Sequence, residues 1–338
     1  MRQGRGGGVK VLITGATGFV GSAVARLVLA RGHAVRALAR AGGDRRNLAG
    51  LDVEIAEGDL TDRASLSRAA KGCDALFHVA ADYRLWAPDP QEIIDNNVRG
   101  TRDVILAAAE AGAKRMVYTS SVAVLGKVKS GESSDEETPV TVKDIIGAYK
   151  TSKFLAEKEV DKLIAEHKLD CVIVNPSTPI GPRDIKPTPT GRMVVETARG
   201  RMPVIVDTGL NIVHVDDVAE GHMLAFDKGK AGRRYVLAGE NMTLRQITEI
   251  ISKFAGRKPP RISMPQDVLM PFAYIAEWWA NHVSGKEPMT TVDGINQSRR
   301  KMYFKSDRAI KELGYTPRPA VDALRDAVEW FKANGYVK

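Results

Sequence analysis

An apolar, β-branched run at 9–14 passes straight into Thr14-Gly15-Ala16-Thr17-Gly18-Phe19-Val20-Gly21, and a stretch of helical period follows at 18–31. Spaced glycines alone mark many ordinary turns. Here a strand precedes them, a helix follows, and a second strand comes at 34–39, the order in which a βαβ unit holds a dinucleotide. In such a unit Gly15 permits the tight turn, Gly18 lets the backbone approach a pyrophosphate, and Gly21 lets helix and strand pack closely. The helix start around Thr17, Phe19 and Val20 offers unpaired N–H groups and the positive end of a dipole to the phosphates.

The alternation continues through apolar segments at 52–56, 74–79, 115–120 and 170–175, with helical patterns between them that include 91–111 and 148–167. Strands alternating with helices imply right-handed crossovers, hence an α/β fold of the doubly wound kind with helices on both faces of a parallel sheet. The pattern breaks after Asn175. Residues 176–191 hold five prolines and two glycines, which predicts an extended loop. A short run at 212–215 then leads to Asp216 and Asp217, a plausible cap for a helix over 217–227. The last hundred residues read as helices joined by proline turns. The expected organisation is a Rossmann-type NADP-binding domain over 1–175, rejoined by 212–238. A smaller, mostly helical substrate-binding domain, from 176–211 and 239–338, closes over the strand ends.

With 338 residues, 43% of them hydrophobic, the chain has ample length for a core and is not mainly disordered. No run of 18 or more apolar residues is present, which excludes a membrane-spanning helix. Met1 to Lys10 lacks the apolar stretch of a secretory leader. Cys73 and Cys171 have no metal-type spacing and suit buried free thiols in a reducing cytoplasm. The net charge of +9 invites a nucleic-acid reading, but nine basic residues and one acid, Asp44, fall within 1–46 and account for almost all of it. No long basic helix or basic–aromatic stripe follows. A positive field around one small anionic ligand explains this better, and no nucleic-acid partner is expected.

A protein selecting NAD usually ends its second strand on an acid that holds the ribose hydroxyls. This strand ends Ala39-Arg40, and no acid occurs between Gly21 and Asp44. Arg40 can stack on adenine and pair with a 2′-phosphate, which favours NADP(H) over NAD(H). A solvated surface arginine is the plainer alternative. Asp59, in Glu57-Gly58-Asp59-Leu60, could accept a bond from the adenine amino group or simply cap its own turn. Tyr149 and Lys153 stand at i and i+4, on one face of a helix. An ammonium beside a phenol lowers its pKa toward working pH, and a tyrosine so poised serves a carbonyl/alcohol pair as acid or base.

These pieces, in this order, make the chain similar over nearly its full length to the extended short-chain dehydrogenases/reductases. The resemblance rests on the glycine loop, Gly58-Asp59-Leu60, Phe77-His78-Val79-Ala80-Ala81, Asn97-Val98-x-Gly100-Thr101, Thr119-Ser120-Ser121, Tyr149-x-x-x-Lys153, Asn175-Pro176 and Val213-His214-Val215-Asp216-Asp217-Val218-Ala219. More narrowly, HVAADYRLWA, NPSTPIGPRDIKPTPTGR and NIVHVDDVAEGH resemble the hopanoid-associated sugar epimerases, a dihydroflavonol-4-reductase-like group. The resemblance implies that Ser121 bonds the substrate oxygen, Tyr149 transfers the proton, and Lys153 lowers its pKa and holds the nicotinamide ribose. Asn97 would support the lysine and its proton path. Asp59 and Leu60 would lie at the adenine, Ala80, Ala81 and Thr119 along one side of the nicotinamide, and Pro176 on the other. Hydride would pass between nicotinamide C4 and a substrate carbon. His214 with Asp216 and Asp217 is a structural stretch in that family, and no metal site is expected. A homodimer through the helices at 91–111 and 148–167, in the cytoplasm, is the family expectation.

The reaction stays open. Sugar-nucleotide dehydratases carry an Asp-Glu pair after the catalytic hydroxyl, whereas Val122-Ala123 stands here, which argues against dehydration. Sugar-nucleotide epimerases usually place an arginine four residues before the histidine of the VHVDDVA-like stretch. Leu210 stands here, so the diphosphate clamp is missing unless Arg183, Lys186 or Arg192 replaces it. With Arg40, the expected activity is NADPH-dependent reduction of a ketone or aldehyde. Sugar or sugar-nucleotide epimerisation, and a non-catalytic NADP-binding regulator, are the alternatives. A small carbonyl, sugar or lipid-linked substrate should meet Tyr83, Leu85, Trp86, Ser121, Lys186 and Arg192. The stretch 268–280 contains Pro271 and Glu277 and is too short to span a bilayer. It reads as a helix packed in the smaller domain or, through Trp278 and Trp279, as a lipid-facing surface.

Overall fold

The run ahead of the glycine loop forms β1 (Lys10–Thr14), buried beyond its first residue and paired in parallel on both edges, as a strand without a polar face requires. The computed structural model describes residues 8–84, 89–126, 128, 132–140, 145, 147–284 and 292–337. After β1 come α1 (Phe19–Ala30), β2 (Ala34–Ala39), β3 (Val53–Glu57), α2 (Arg63–Ala70), β4 (Ala75–His78), α3 (Pro90–Glu110), β5 (Arg115–Thr119), α4 (Ala148–His167) and β6 (Cys171–Pro176). The second half contains β7 (Thr178–Ile180), α5 (Pro189–Ala198), β8 (Val204–Val206), β9 (Gly209–His214), α6 (Val215–Lys228), β10 (Arg234–Leu237), β11 (Glu240–Thr243) and α7 (Leu244–Ala255). It ends with β12 (Ile262–Met264), α8 (Gln266–Trp279), α9 (Val292–Ser298) and α10 (Ala320–Ala333).

Seven strands form one parallel sheet in the order β3-β2-β1-β4-β5-β6-β10, confirming the doubly wound α/β fold. Alternate residues of β1 serve opposite faces. Val11 and Ile13 join an apolar cluster with Val24, Val28 and Val218 from α1 and α6, while Leu12 packs with Leu66, Val104 and Val160 from α2, α3 and α4. The chain reverses its direction of progress across the sheet between β1 and β4, which opens a crevice at their carboxyl ends. A separate cluster, including Val194, Ile212, Ile251, Leu324 and Phe331, holds α5, α7 and α10 beside a small sheet of β7, β9 and β11.

Three readings of the sequence need correction. The proline-rich segment 176–191 is not loop throughout: Thr178–Ile180 pairs with β9, and Thr188 caps α5 through Gly191 N–H. Asp216 and Asp217 do not cap the following helix. His214 does so, its Nδ1 accepting from Asp216 N–H at 3.0 Å, while Asp217 accepts from the backbone N–H and Nε of Arg318. Residues 268–280 are helical, but α8 buries only Ala273, so the packed-helix reading holds for one narrow side. Cys73 and Cys171 are buried and free.

Candidate active site

Residues expected at the cofactor follow the carboxyl ends of successive strands: Gly15 after β1, Arg40 after β2, Asp59 after β3, Ala80 and Ala81 after β4, with Pro176 closing β6. Gly15 has φ +75°, and a Cβ there would stand 2.7 Å from Ala80 N. A Cβ at Gly21 would stand 2.0 Å from the Gly15 carbonyl oxygen. The loop therefore tolerates neither side chain. Gly18 caps α1 without a side-chain hydrogen bond, and the first turn carries no acid, so its N–H groups are left for an anion. Asn47, which the sequence reading missed, braces the loop by donating from Nδ2 to the carbonyls of Thr17 and Gly18 at 3.2 and 3.4 Å. Phe19 and Val20 pack on the adjacent core. A dinucleotide pyrophosphate fits this cradle.

Arg40 is exposed and acts electrostatically on Asp59 and Tyr83. Asp59 holds its own turn: Oδ1 accepts from Thr61 N–H at 2.9 Å and Thr61 Oγ1 at 2.8 Å, bonds that keep the carboxyl below its usual range. Leu60 lies against the α2–α4 core. Arg45 and Arg46 pair with Glu57 and Asp44.

Behind the crevice runs a buried row of polar groups that the sequence reading did not assemble. Ala80 N–H donates to Thr14 Oγ1 at 3.2 Å, so the Thr14 hydroxyl is free to donate to His78 Nδ1, 2.7 Å away. That tautomer leaves His78 Nε2–H for Thr101 Oγ1 at 2.9 Å. Thr101 in turn bonds the Tyr118 hydroxyl, which also accepts from Lys153 Nζ at 3.4 Å. Burial, then the charge of Lys153, pushes His78 down to about 3, so its imidazole is neutral.

Lys153 Nζ donates to the Thr119 carbonyl at 2.7 Å, and burial brings its pKa down to about 8 against the opposing pull of Glu157. Thr119 gives its hydroxyl to His222 Nε2 at 2.8 Å and reaches the site only through that carbonyl. Ser121 donates to the Tyr149 phenol while its Oγ accepts from Ala123 N–H at 3.1 Å. The Tyr149 pKa is not lowered as a neighbouring ammonium would lower it. Burial raises its pKa, the Ser121 bond opposes that rise, and Lys153 is turned onto Thr119. Among the described residues Asn97 makes its direct hydrogen bonds to Ser152 and Asp82 and not to Lys153 itself. Its Nδ2 bonds Ser152 Oγ at 2.8 Å and the Asp82 carbonyl at 2.9 Å, and its Oδ1 accepts from Asp82 N–H at 2.7 Å. It thereby ties the segment after β4 to the helix that carries Lys153. Asn175, at the end of β6, donates to the Ser121 carbonyl and to Glu157.

On the outer side, Tyr83 is half exposed and lies within the electrostatic reach of Asp184, Arg192 and Arg40. Asp184 is buried and raised to about 6 by that burial, although Thr188 donates to it twice. Lys186 is exposed and acts on Asp44. Leu85 and Trp86 lie outside the described residues.

Residues 11–238 match the model of the NAD dependent epimerase/dehydratase family. The chain belongs to that family. Its members bind a nicotinamide cofactor, and this chain is an enzyme of the extended short-chain dehydrogenase/reductase type. It is 43% identical over 96% of its length, and 95% of the relative's, to a Synechocystis protein described as "Putative dihydroflavonol 4-reductase". It is 36% identical to "Sterol demethylase protein B" of Methylococcus capsulatus, over 96% of this chain and 99% of that one. Among solved structures, gox2253 superimposes with a TM-score of 0.87 at 54% identity, covering 97% of this chain and 99% of that one. No helix among the described residues is long and apolar enough to cross a membrane.

Proposed function

We propose that this family member is an NADP(H)-dependent carbonyl reductase acting on a small ketone or aldehyde. The observation that carries the reading is the partly buried Tyr149 phenol, whose pKa desolvation raises and which Ser121 hydrogen-bonds. A phenol in that state is an acid, which is what reduction of a carbonyl requires. When bound, the reduced nicotinamide supplies the hydride. Gly15, Thr17, Gly18, Phe19, Val20 and Gly21 hold the pyrophosphate, Arg40 the 2′-phosphate, and Asp59 with Leu60 the adenosine end. Ala80, Ala81, Thr119 and Pro176 flank the nicotinamide, and Lys153 holds its ribose. Ser121 orients the substrate oxygen and Tyr149 gives it the proton. Asn97 keeps the Asp82 segment and α4 in register.

Supporting this direction, Val122, the first of the two residues after Ser121, is buried in an apolar cluster, where an acid for dehydration would be out of place. Leu210 likewise packs in the apolar cluster around α5, α7 and α10 and presents no diphosphate clamp. The relative at 43% identity is described as a reductase. One observation favours epimerisation instead: Arg192 lies beside Tyr83 and Asp184, where it could face a diphosphate. The substrate-binding part would be 176–211 with 239–338.

The deciding experiment is to denature the purified protein, identify any released nucleotide, and titrate fresh protein with NADPH and NADH. A protein free of nucleotide that prefers NADPH and consumes it with members of a ketone and aldehyde panel is the expected result. Tightly retained dinucleotide without net consumption would overturn it in favour of epimerisation.

A further inference from the structure

Between α1, the turn after β2, the segment after β7 and the end of α10 lies a cavity of about 290 Å3. Three guanidinium groups, those of Arg26, Arg46 and Arg183, line it together with Asn47, Trp330 and Tyr336. It stands behind the glycine loop rather than in the crevice. Asn47 takes the Thr17 and Gly18 carbonyls, whereas a dinucleotide takes N–H groups, which point the opposite way from the carbonyls across a trans peptide.

We propose that this cavity binds a phosphate-class oxyanion. Arg26 and Arg183 each bury an Nε that has no hydrogen-bond partner among the described residues. Buried donors are ordinarily satisfied, so the two guanidinium groups beside this cavity are incompletely hydrogen-bonded by the protein, and their outer amines are the donors a cavity ligand can reach. Arg26 spends one amine on the Asn47 carbonyl at 3.0 Å and forms no ion pair among the described residues. Burial, and next the facing charge of Arg183, lowers its pKa, so the cations sit against each other with incomplete relief from Asp216. An oxyanion between them converts that repulsion into forked, charge-assisted hydrogen bonds. Arg183 is a non-glycine residue at φ 75°, and its ion pair with Asp216 holds that backbone and fixes the guanidinium at the cavity wall. The opposite wall is aromatic. Trp330 and Tyr336 have ring centroids 5.5 Å apart, and the Tyr336 hydroxyl is fixed on the Ile185 carbonyl at 2.6 Å. That wall suits a phosphate carried on an organic group.

The test is calorimetric titration of inorganic phosphate, and separately of phenyl phosphate, into the full chain. The protein is first saturated with whichever of NADPH or NADH it binds, so that the crevice is filled and the result does not depend on the reductase reading. The expected outcome is saturable binding near one equivalent, weakened at least tenfold in Arg26→Gln and in Arg46→Gln, with cofactor affinity of both variants within twofold of the parent. Tighter binding of phenyl phosphate assigns an aryl phosphate ester to the cavity and equal binding assigns the free ion; both bear the site out. Absence of saturable binding overturns it, as does binding seen only when cofactor is withheld, or binding unchanged in the variants. Thermal unfolding checks that each variant folds, and Arg46→Gln, on a surface turn, carries the test if Arg26→Gln does not.

Discussion

The floor of the crevice and helix α8 treat their side chains in opposite ways. Under the crevice, His78, Thr101, Tyr118 and Lys153 are buried and joined in one row of hydrogen bonds, each group constraining the next. On α8, Phe272, Ile275, Trp278 and Trp279 are 65, 66, 57 and 55% exposed, and Trp278 stacks on His282. The contrast teaches where reproducible geometry is needed. Proton transfer works over a fraction of an ångström, so the polar groups beneath it are over-determined. An apolar surface that meets a greasy partner by area tolerates rearrangement.

Substitutions and pH can break or sharpen that contrast. The largest effect is expected from Tyr149→Phe: NADPH consumption with a responsive ketone or aldehyde should fall by about 10²–10⁴-fold, while cofactor affinity, read by fluorescence titration, stays within about twofold. A variant retaining most of its turnover would show that the phenol is not the acid. Next is acid sensitivity. His78 and His222 are buried and lowered to about 3 and about 4, chiefly by burial, so the unfolded chain binds protons that the folded one refuses. Their contribution is intact above pH 6.5 and is lost as pH falls, by roughly 2 kcal/mol per histidine at pH 5. Urea midpoints across pH 5–7 measure it, and His78→Leu should make the fall in stability between pH 7 and pH 5 shallower by roughly 2 kcal/mol while lowering stability at pH 7.

Arg40→Asp is expected to weaken NADPH by about ten- to a hundredfold, as for loss of a hydrogen-bonded charge contact of roughly 1.5–3 kcal/mol, with NADH little changed. Equal effects on both cofactors would remove Arg40 from the 2′-phosphate. The smallest effect belongs to α8. Replacing Trp278 and Trp279 by serine should leave the unfolding midpoint within about 0.5 kcal/mol of the parent, as for exposed positions in general. A loss above about 2 kcal/mol would mean that α8 is packed more firmly than its exposure indicates. Flotation with anionic vesicles tests its surface, since recovery unchanged by the double substitution would exclude lipid contact through these rings.

What could be read in advance follows the range of the interactions. β1, β2 and α4 fell within one residue of their expected bounds because β-branched alternation and helical period are local signals. The i, i+4 spacing of Tyr149 and Lys153 was legible for the same reason. The row beneath them was not. Thr14, His78, Thr101 and Tyr118 meet only because β1, β4 and β5 are sheet neighbours with α3 above them, although His78 stands in the Phe77-His78-Val79-Ala80-Ala81 motif. Asn47 is joined to the glycine loop across 29 and 30 positions. His214 gives no capping signal in the sequence, because aspartates follow it and the usual capping side chains are Ser, Thr, Asp and Asn. The pKa direction of Tyr149 depended on which carbonyl Lys153 chose, and spacing does not reveal that.

Strand order also sets a timetable for synthesis. β6 is buried from end to end, yet one of its flanks is covered by β10, which the ribosome delivers only after β7, α5, β8, β9 and α6 have been made. Until Leu237 emerges, the nascent sheet presents a bare edge of unpaired N–H and C=O groups, the kind of template on which chains adhere to one another. A fragment stopped at residue 175 would carry that edge permanently. The seven-stranded sheet is therefore finished by sequence that lies beyond β7, α5, β8, β9 and α6, and about seven-tenths of the polypeptide must be made before its last strand can pair.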